Sequence, residues 1–304
     1  TRLLKKIGNI FKRRKSPAPR IQHGDPKHST SHPHSLSGGN QAGHDRDAGH
    51  HRRREQHHPE GRRQNWCLED YVVPPEQGKT RFHDLDLPEQ LMHAVSDLGF
   101  KYCTPIQSKA LPLLLAGRNV AGKAQTGTGK TAAFIINILT KFLRQPVDGH
   151  AAKKGRPRAL VMAPTRELVV QIVKDACNIG KYCNLRTVGI YGGMDYGKQM
   201  DDLSGRMVDI IIATPGRLLD FMSKKLIDLG GVEVLVIDEA DRMLDMGFIP
   251  DIKRIIRNIP PKHKRQATLF SATLSRDVMN LASQWMSDIA IVEIEPEQVT
   301  VKTV

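Results

Sequence analysis

Two short stretches of this chain combine residue types that can handle a triphosphate and a divalent cation. The first is Ala124-Gln125-Thr126-Gly127-Thr128-Gly129-Lys130-Thr131, set between an apolar run and a segment of helical periodicity. Gly127 and Gly129 let the backbone curl so that its N–H groups face one point. The free N–H groups and the dipole at the start of the following helix attract an anion to the same point. Lys130 is placed to reach the β- and γ-phosphates of a nucleotide, and Thr131 to offer its hydroxyl to Mg²⁺. The general phosphate-loop pattern opens on glycine, whereas Ala124 stands at that place here. The second stretch is the apolar run Val232 to Ile237, which leads directly into Asp238-Glu239-Ala240-Asp241. Carboxylates at the end of a buried strand are costly to dehydrate unless a cation or metal meets them. Asp238 is placed to hold Mg²⁺, and Glu239 to orient and deprotonate an attacking water. An acidic cap on the next helix would account for the carboxylates alone, but it requires no phosphate loop upstream. Together the two stretches point to nucleotide hydrolysis.

The elements that must position these groups are legible as alternating apolar runs and helical patterns. Apolar runs bounded by turn residues occur at Asn119 to Ala124, Ala159 to Ala163, Thr187 to Tyr191, Asp209 to Ala213, Val232 to Ile237, Ala267 to Phe270 and Ala290 to Ile294. They are continuous rather than alternating, as strands covered on both faces are. Helical patterns lie between them, for example Thr131 to Leu143 and Glu167 to Ile179. The expected fold is α/β, a single domain with a mostly parallel sheet and helices on both faces. Ligands of such sheets sit at the carboxyl ends of the strands, where both stretches fall.

Residues 1 to 65 have a different composition. They carry 15 Lys/Arg and 5 Asp/Glu, a balance of +10 out of +14 for all 304 residues, and nine of the 13 histidines. Such a segment buries too little apolar area to offset the cost of ordering its backbone, so it is expected to be a disordered basic tail. Within it, residues 2 to 15 place Leu3, Leu4, Ile7, Ile10 and Phe11 at helical spacing among lysines and arginines. A short amphipathic helix there would dock on RNA, a partner protein or an anionic lipid surface; a solvated charged tail is the alternative. The histidines lack the spacing of metal ligands. Cys67, Cys103, Cys177 and Cys183 form no CxxC pair, as expected of reduced thiols in a reducing compartment. No run of 18 or more apolar residues exists to span a bilayer. The sequence pI near 9.7 points to polyanionic partners.

Asp238 to Asp241 spells the signature of the DEAD-box RNA helicases, and the resemblance runs from about Phe82 to Glu297. That family's phosphate loop is A-x-T-G-x-G-K-T, so Ala124 fits it. Gly99-Phe100, Thr104-Pro105-Ile106-Gln107 and the upstream Phe82 resemble the family's Q motif. The resemblance implies that Gln107 reads the N6/N7 edge of adenine and that Phe82 stacks on the ring, selecting ATP over GTP. Pro164-Thr165-Arg166-Glu167-Leu168, Gly192-Gly193 and Thr214-Pro215-Gly216-Arg217 resemble the RNA-facing motifs. There, N–H groups and cations would grip successive phosphates. Ser271-Ala272-Thr273 resembles the motif that ties the acidic loop, through Asp241, to the sheet and couples hydrolysis to domain closure.

The implied fold is a RecA-like P-loop domain over residues 66 to 296, with residues 297 to 304 opening a linker to a second such domain. That second domain would supply the arginines that complete catalysis. On this reading the chain is part of a longer protein at both ends, and alone it would bind adenine nucleotide weakly and hydrolyse it negligibly. Asp238 to Phe248 and Glu293 to Glu297 look like the bacterial degradosome-type helicases. This implies ATP and Mg²⁺ as cofactors and RNA as substrate. An RNA-decay scaffold protein or ribonuclease would be the partner, in a cytoplasmic protein acting as a monomer. The alternatives are a P-loop ATPase acting on DNA or protein, and a non-catalytic RNA-binding module.

Overall fold

In the computed structural model, residues 66–147, 154–205 and 207–294 are described. The readings made for the basic tail, its helix at 2 to 15 and the linker at 297 to 304 lie outside them. Among the described residues the seven expected strands are all present: β1 Asn119–Lys123, β2 Ala159–Met162, β3 Thr187–Ile190, β4 Ile210–Ala213, β5 Val234–Ile237, β6 Gln266–Ser271 and β7 Ile289–Glu293. They form one sheet in the order β3-β4-β2-β5-β6-β1-β7, and every pairing is parallel.

The continuous apolar runs are explained by the layers on both faces. In β2, Ala159 and Val161 face one layer while Leu160 and Met162 face the other. The first layer holds helices α1 Glu89–Asp97, α2 Pro105–Leu115, α3 Lys130–Arg144 and α4 Arg166–Ile179. The second holds α5 Tyr196–Ser204, α6 Pro215–Ser223, α7 Ala240–Asp245, α8 Ile249–Ile256 and α9 Arg276–Trp285. Burying an aromatic or aliphatic side chain contributes about 1.5–3 kcal/mol, and α3 alone buries Phe134, Ile135, Ile136, Ile138, Leu139 and Phe142.

Two features fix the strands that carry the site. Gly122 in β1 lies under the Phe270 ring of β6, and a Cβ there would meet Phe270 Cε1 at 2.4 Å. The buried Asn137 of α3 donates to Gln266 Oε1 (3.1 Å), and Gln266 Nε2 donates to the carbonyls of Leu114 (2.8 Å) and Arg118 (3.0 Å). This satisfied polar network locks α3, β6 and the α2–β1 turn in one register. At the start of the described chain, Trp66 stacks on His93 (ring centroids 4.6 Å), which stacks on Tyr182 (3.8 Å).

Candidate functional site

β1 ends at the loop Ala124 to Gly129, which Ala124 joins to the end of β6 by its N–H to Ser271 O (3.0 Å). Gly129 caps α3 in the left-handed region (φ 94°). A side chain there would also collide with Gln107, whose Nε2 is 2.5 Å from the Cβ position. Thr128 Oγ1 donates to Gln125 O (2.8 Å), closing the turn. Lys130 is 5% exposed. Its Nζ donates to Ala124 O (3.0 Å) and lies 3.9 Å from Asp238 Oδ1.

Asp238 stands at the tip of β5 and is 2% exposed. Burial pushes its carboxyl up to about 6, outweighing the Lys130 ammonium and the Glu239 N–H (3.0 Å) that favour the anion; Glu239 and Asp241 push the same way as burial. A buried carboxylate held short of full charge compensation accommodates a cation, and with the Thr131 hydroxyl on the same cleft it offers the hard oxygen donors that Mg²⁺ takes. When bound, the metal would neutralise charge on a phosphate chain. Glu239 adopts φ 54°, ψ 53°, a left-handed backbone unusual for a residue with a side chain. Its Oε1 accepts from Thr126 Oγ1 (3.3 Å) and its Oε2 from Arg242 NH1 (3.2 Å). The suggested water-activating carboxylate is therefore aimed from both sides. Asp241 Oδ2 accepts from Thr273 N (3.0 Å) and Thr273 Oγ1 (3.3 Å), while Asp241 N donates to Ser271 Oγ (3.2 Å).

These groups open on a cleft of about 340 Å³ lined by Phe82, Phe100, Gln107, Gly127, Thr131 and Glu239, among others. That volume suits a small-molecule ligand. Phe82 and Gln107, the expected adenine readers, line this cleft, and both already have protein partners. Phe82 is 1% exposed and pairs with Phe100 at 6.1 Å between centroids. Gln107 Oε1 accepts from Thr104 N (2.9 Å) and Nε2 donates to Gly129 O (3.1 Å), so its amide bridges to the phosphate loop.

The other motif residues gather on the far half of the sheet, at the ends of β2, β3 and β4. Pro164 is buried and Thr165 caps α4, accepting from Leu168 N (3.3 Å). Arg166 NH1 donates to Gly193 O (3.0 Å), and its guanidinium lies 5.6 Å from the Tyr191 ring centroid. Gly192, Gly193 and Gly216 are exposed. Thr214 and Pro215 start α6, with Thr214 N bonded to Ile190 O (3.0 Å). Arg217 lies 5.7 Å from the Tyr196 ring, and its NH1 is buried without a protein partner.

Several positioning residues escaped sequence reading. Gln199, fully buried, accepts from Tyr191 N and donates to Tyr191 O (both 3.1 Å), which holds the loop carrying Gly192 and Gly193. Arg242 was readable in principle, since it follows Glu239 by three residues at a helix start. Gln171, Asp175 and Asn178 line the cleft from α4; their 4, 3 spacing marks one helix face, but nothing in it says what that face meets.

Fold and site together define a P-loop nucleotide-binding domain of the parallel α/β class. The chain belongs to the DEAD/DEAH box helicase family, whose model matches residues 104–281. It is 58% identical over 233 residues to the ATP-dependent RNA helicase RhlB of Pseudomonas aeruginosa (strain UCBPP-PA14), covering 77% of this chain and 58% of that protein. With RhlB of Enterobacter sp. (strain 638) the identity is 49% over 220 residues, covering 72% and 52%. A crystal structure of a DEAD box protein from Methanococcus jannaschii superposes with a TM-score of 0.63 at 32% identity, covering 71% of this chain and 57% of that one. The chain thus spans little more than half the length of these relatives.

Proposed function

We propose that this protein is an ATP-dependent RNA helicase, with this domain binding ATP and one face of an RNA strand. The reading rests first on the Lys130 ammonium standing 3.9 Å from Asp238 Oδ1 beside a glycine-curled loop. That is a cation for the β- and γ-phosphates next to a carboxylate for Mg²⁺. In this reading Ala124, Gln125, Thr126, Gly127, Thr128 and Gly129 wrap the phosphates, Thr131 joins Asp238 at the metal, and Glu239 takes the proton of the attacking water. Phe82 and Gln107 select adenine. Pro164, Thr165, Arg166, Gly192, Gly193, Thr214, Pro215, Gly216 and Arg217 hold RNA phosphates. Asp241, Ser271 and Thr273 pass the state of the nucleotide site to the rest of the sheet.

The likeness of Asp238 to Phe248 to the degradosome-type helicases extends this reading to RNA turnover in the cytoplasm, with an RNA-decay scaffold or ribonuclease as partner. The test is hydrolysis by the full-length protein. Single-stranded RNA should raise ATP turnover and DNA of the same sequence should not; equal stimulation by DNA, or none by RNA, contradicts the reading.

A further inference from the structure

A dense group of like charges lies away from every motif above. Between Asp251 and Asp277 there is no acidic residue, while seven Lys/Arg fall in that interval. Lys253, Arg254, Arg257, Lys262, His263 and Lys264 are all exposed. They crowd the C-terminal end of α8 and the loop that leads into β6. This loop precedes the first residue of β6, whereas Ser271 ends it, so the patch lies at the opposite end of the strands from the nucleotide site.

The helix dipole favours cations at the end of α8. It offers no account of Lys262, His263 and Lys264, which follow Pro260-Pro261. Compensation by acids is sparse: Arg254 meets Asp251 at 3.8 Å, and Lys262 donates to Ser283 O at 3.4 Å. The loop is held in a fixed shape. The buried Arg265 donates to Pro260 O (2.9 Å) and Trp285 O (3.0 Å), Lys264 N donates to Pro261 O (2.9 Å), and Asn258 Nδ2 donates to Arg254 O (2.8 Å). Like charges displayed on a fixed surface repel one another, a cost that a polyanion removes.

We propose that this patch is a second RNA-contacting surface, holding a segment of the strand beyond the part gripped by the strand-end loops. The inference rests on the RNA reading of the preceding section. RNA is favoured over an acidic polypeptide by continuity. α6 begins at Thr214 to Arg217, ends at the exposed Lys224 and Lys225, and packs against α8. Lys224 pairs with Asp220 (3.5 Å), which leaves the exposed Lys225 as the next free cation beyond Arg217 among the described residues. A flexible polyanion leaving Arg217 past the C-terminal end of α6 reaches the patch at α8.

The test compares the full-length protein with its K253Q/R257Q/K262Q/K264Q variant, measuring single-stranded RNA affinity across a salt series. All four side chains are exposed and lie away from the nucleotide cleft, so the variant should stay folded with nucleotide binding unchanged. Each phosphate neutralised adds about −0.7 to the slope of log K against log salt, so the variant's slope should be shallower by about 2 to 3. An unchanged slope and affinity, in a wild type that does bind RNA, overturns this inference alone. A wild type without RNA affinity overturns the helicase reading and this one with it. Binding of polyglutamate that the variant loses while RNA binding stays intact also overturns it, in favour of an acidic protein partner.

Discussion

The carboxylate of Asp241 accepts both the backbone N–H and the hydroxyl of Thr273, at 3.0 and 3.3 Å. These bonds join the loop that carries Asp238 and Glu239 to the residues just past β6. Because Asp241 N also donates to Ser271 Oγ, the acidic loop and the end of β6 must move together. In the proposed function this tie is the route by which a change at the nucleotide would reach the sheet, with no contact between Thr273 and the nucleotide required.

Weakening that tie by removing its two side-chain hydroxyls should separate hydrolysis from work. For Ser271→Ala/Thr273→Ala in the full-length protein, duplex unwinding should fall at least about tenfold while RNA-stimulated ATP turnover changes much less, in the range of coupling energies of about 1–3 kcal/mol. Parallel unwinding and ATPase assays decide it. An equal loss in both would make these residues part of the hydrolytic machinery instead.

Glu239 holds a left-handed backbone that a side chain disfavours, and Thr126 and Arg242 aim its carboxylate. Replacing it by glutamine keeps the shape and removes the base. Glu239→Gln should lower single-turnover ATP hydrolysis by about 10²–10⁴ with nucleotide affinity retained. Titration of a fluorescent ATP analogue alongside quench-flow hydrolysis measures both quantities.

Asp238 gives the stability of the metal- and nucleotide-free domain an unusual pH dependence. Burial raises its carboxyl from 3.8 to about 6, so the folded state binds this proton more tightly than the unfolded state does. The stability contributed by that proton is fully present below the unfolded value and is lost as pH rises through about 6. At 1.36 kcal/mol per unit the whole swing is on the order of 3 kcal/mol, roughly half of it falling between about pH 5 and pH 8. Asp238→Asn cannot titrate and serves as the flat reference. The stability of wild type relative to this variant, from urea melts in chelator, should decline across that window; a constant difference would place Asp238 in water.

Much of this architecture was legible before any coordinates. The inner strands β2, β4, β5 and β6 are buried on both faces, so their runs are continuously apolar, and the chemistry-bearing residues follow them at the ends where ligands of parallel sheets bind. The edges of elements were less legible where a polar residue is satisfied by tertiary contact. Gln266 and Ser271 extend β6 beyond the apolar run because Asn137, two carbonyls and the Asp241 N–H satisfy them. The run at Val232 overstates β5, since Val232 leaves a tight turn and the strand starts at Val234. Gln199 and Asp175 were invisible for a related reason. The first acts by clasping a loop eight residues upstream, and the second is a half-buried cleft acid on a helix whose partner no local pattern names. No local pattern marks the bonds of the Gln107 amide to Thr104 and Gly129, because the second of them crosses to the phosphate loop.

The most direct measurement is calorimetric titration of Mg·ATP into wild type and Lys130→Ala of the full-length protein, with circular dichroism as a check of the fold. Wild type should bind and the variant should show no detectable affinity while keeping its helical signal, because Lys130 is the buried cation that answers both the phosphates and Asp238. Unchanged affinity in a folded Lys130→Ala protein would contradict the account, making the loop at Gly127 and Gly129 a structural turn and not a nucleotide cradle.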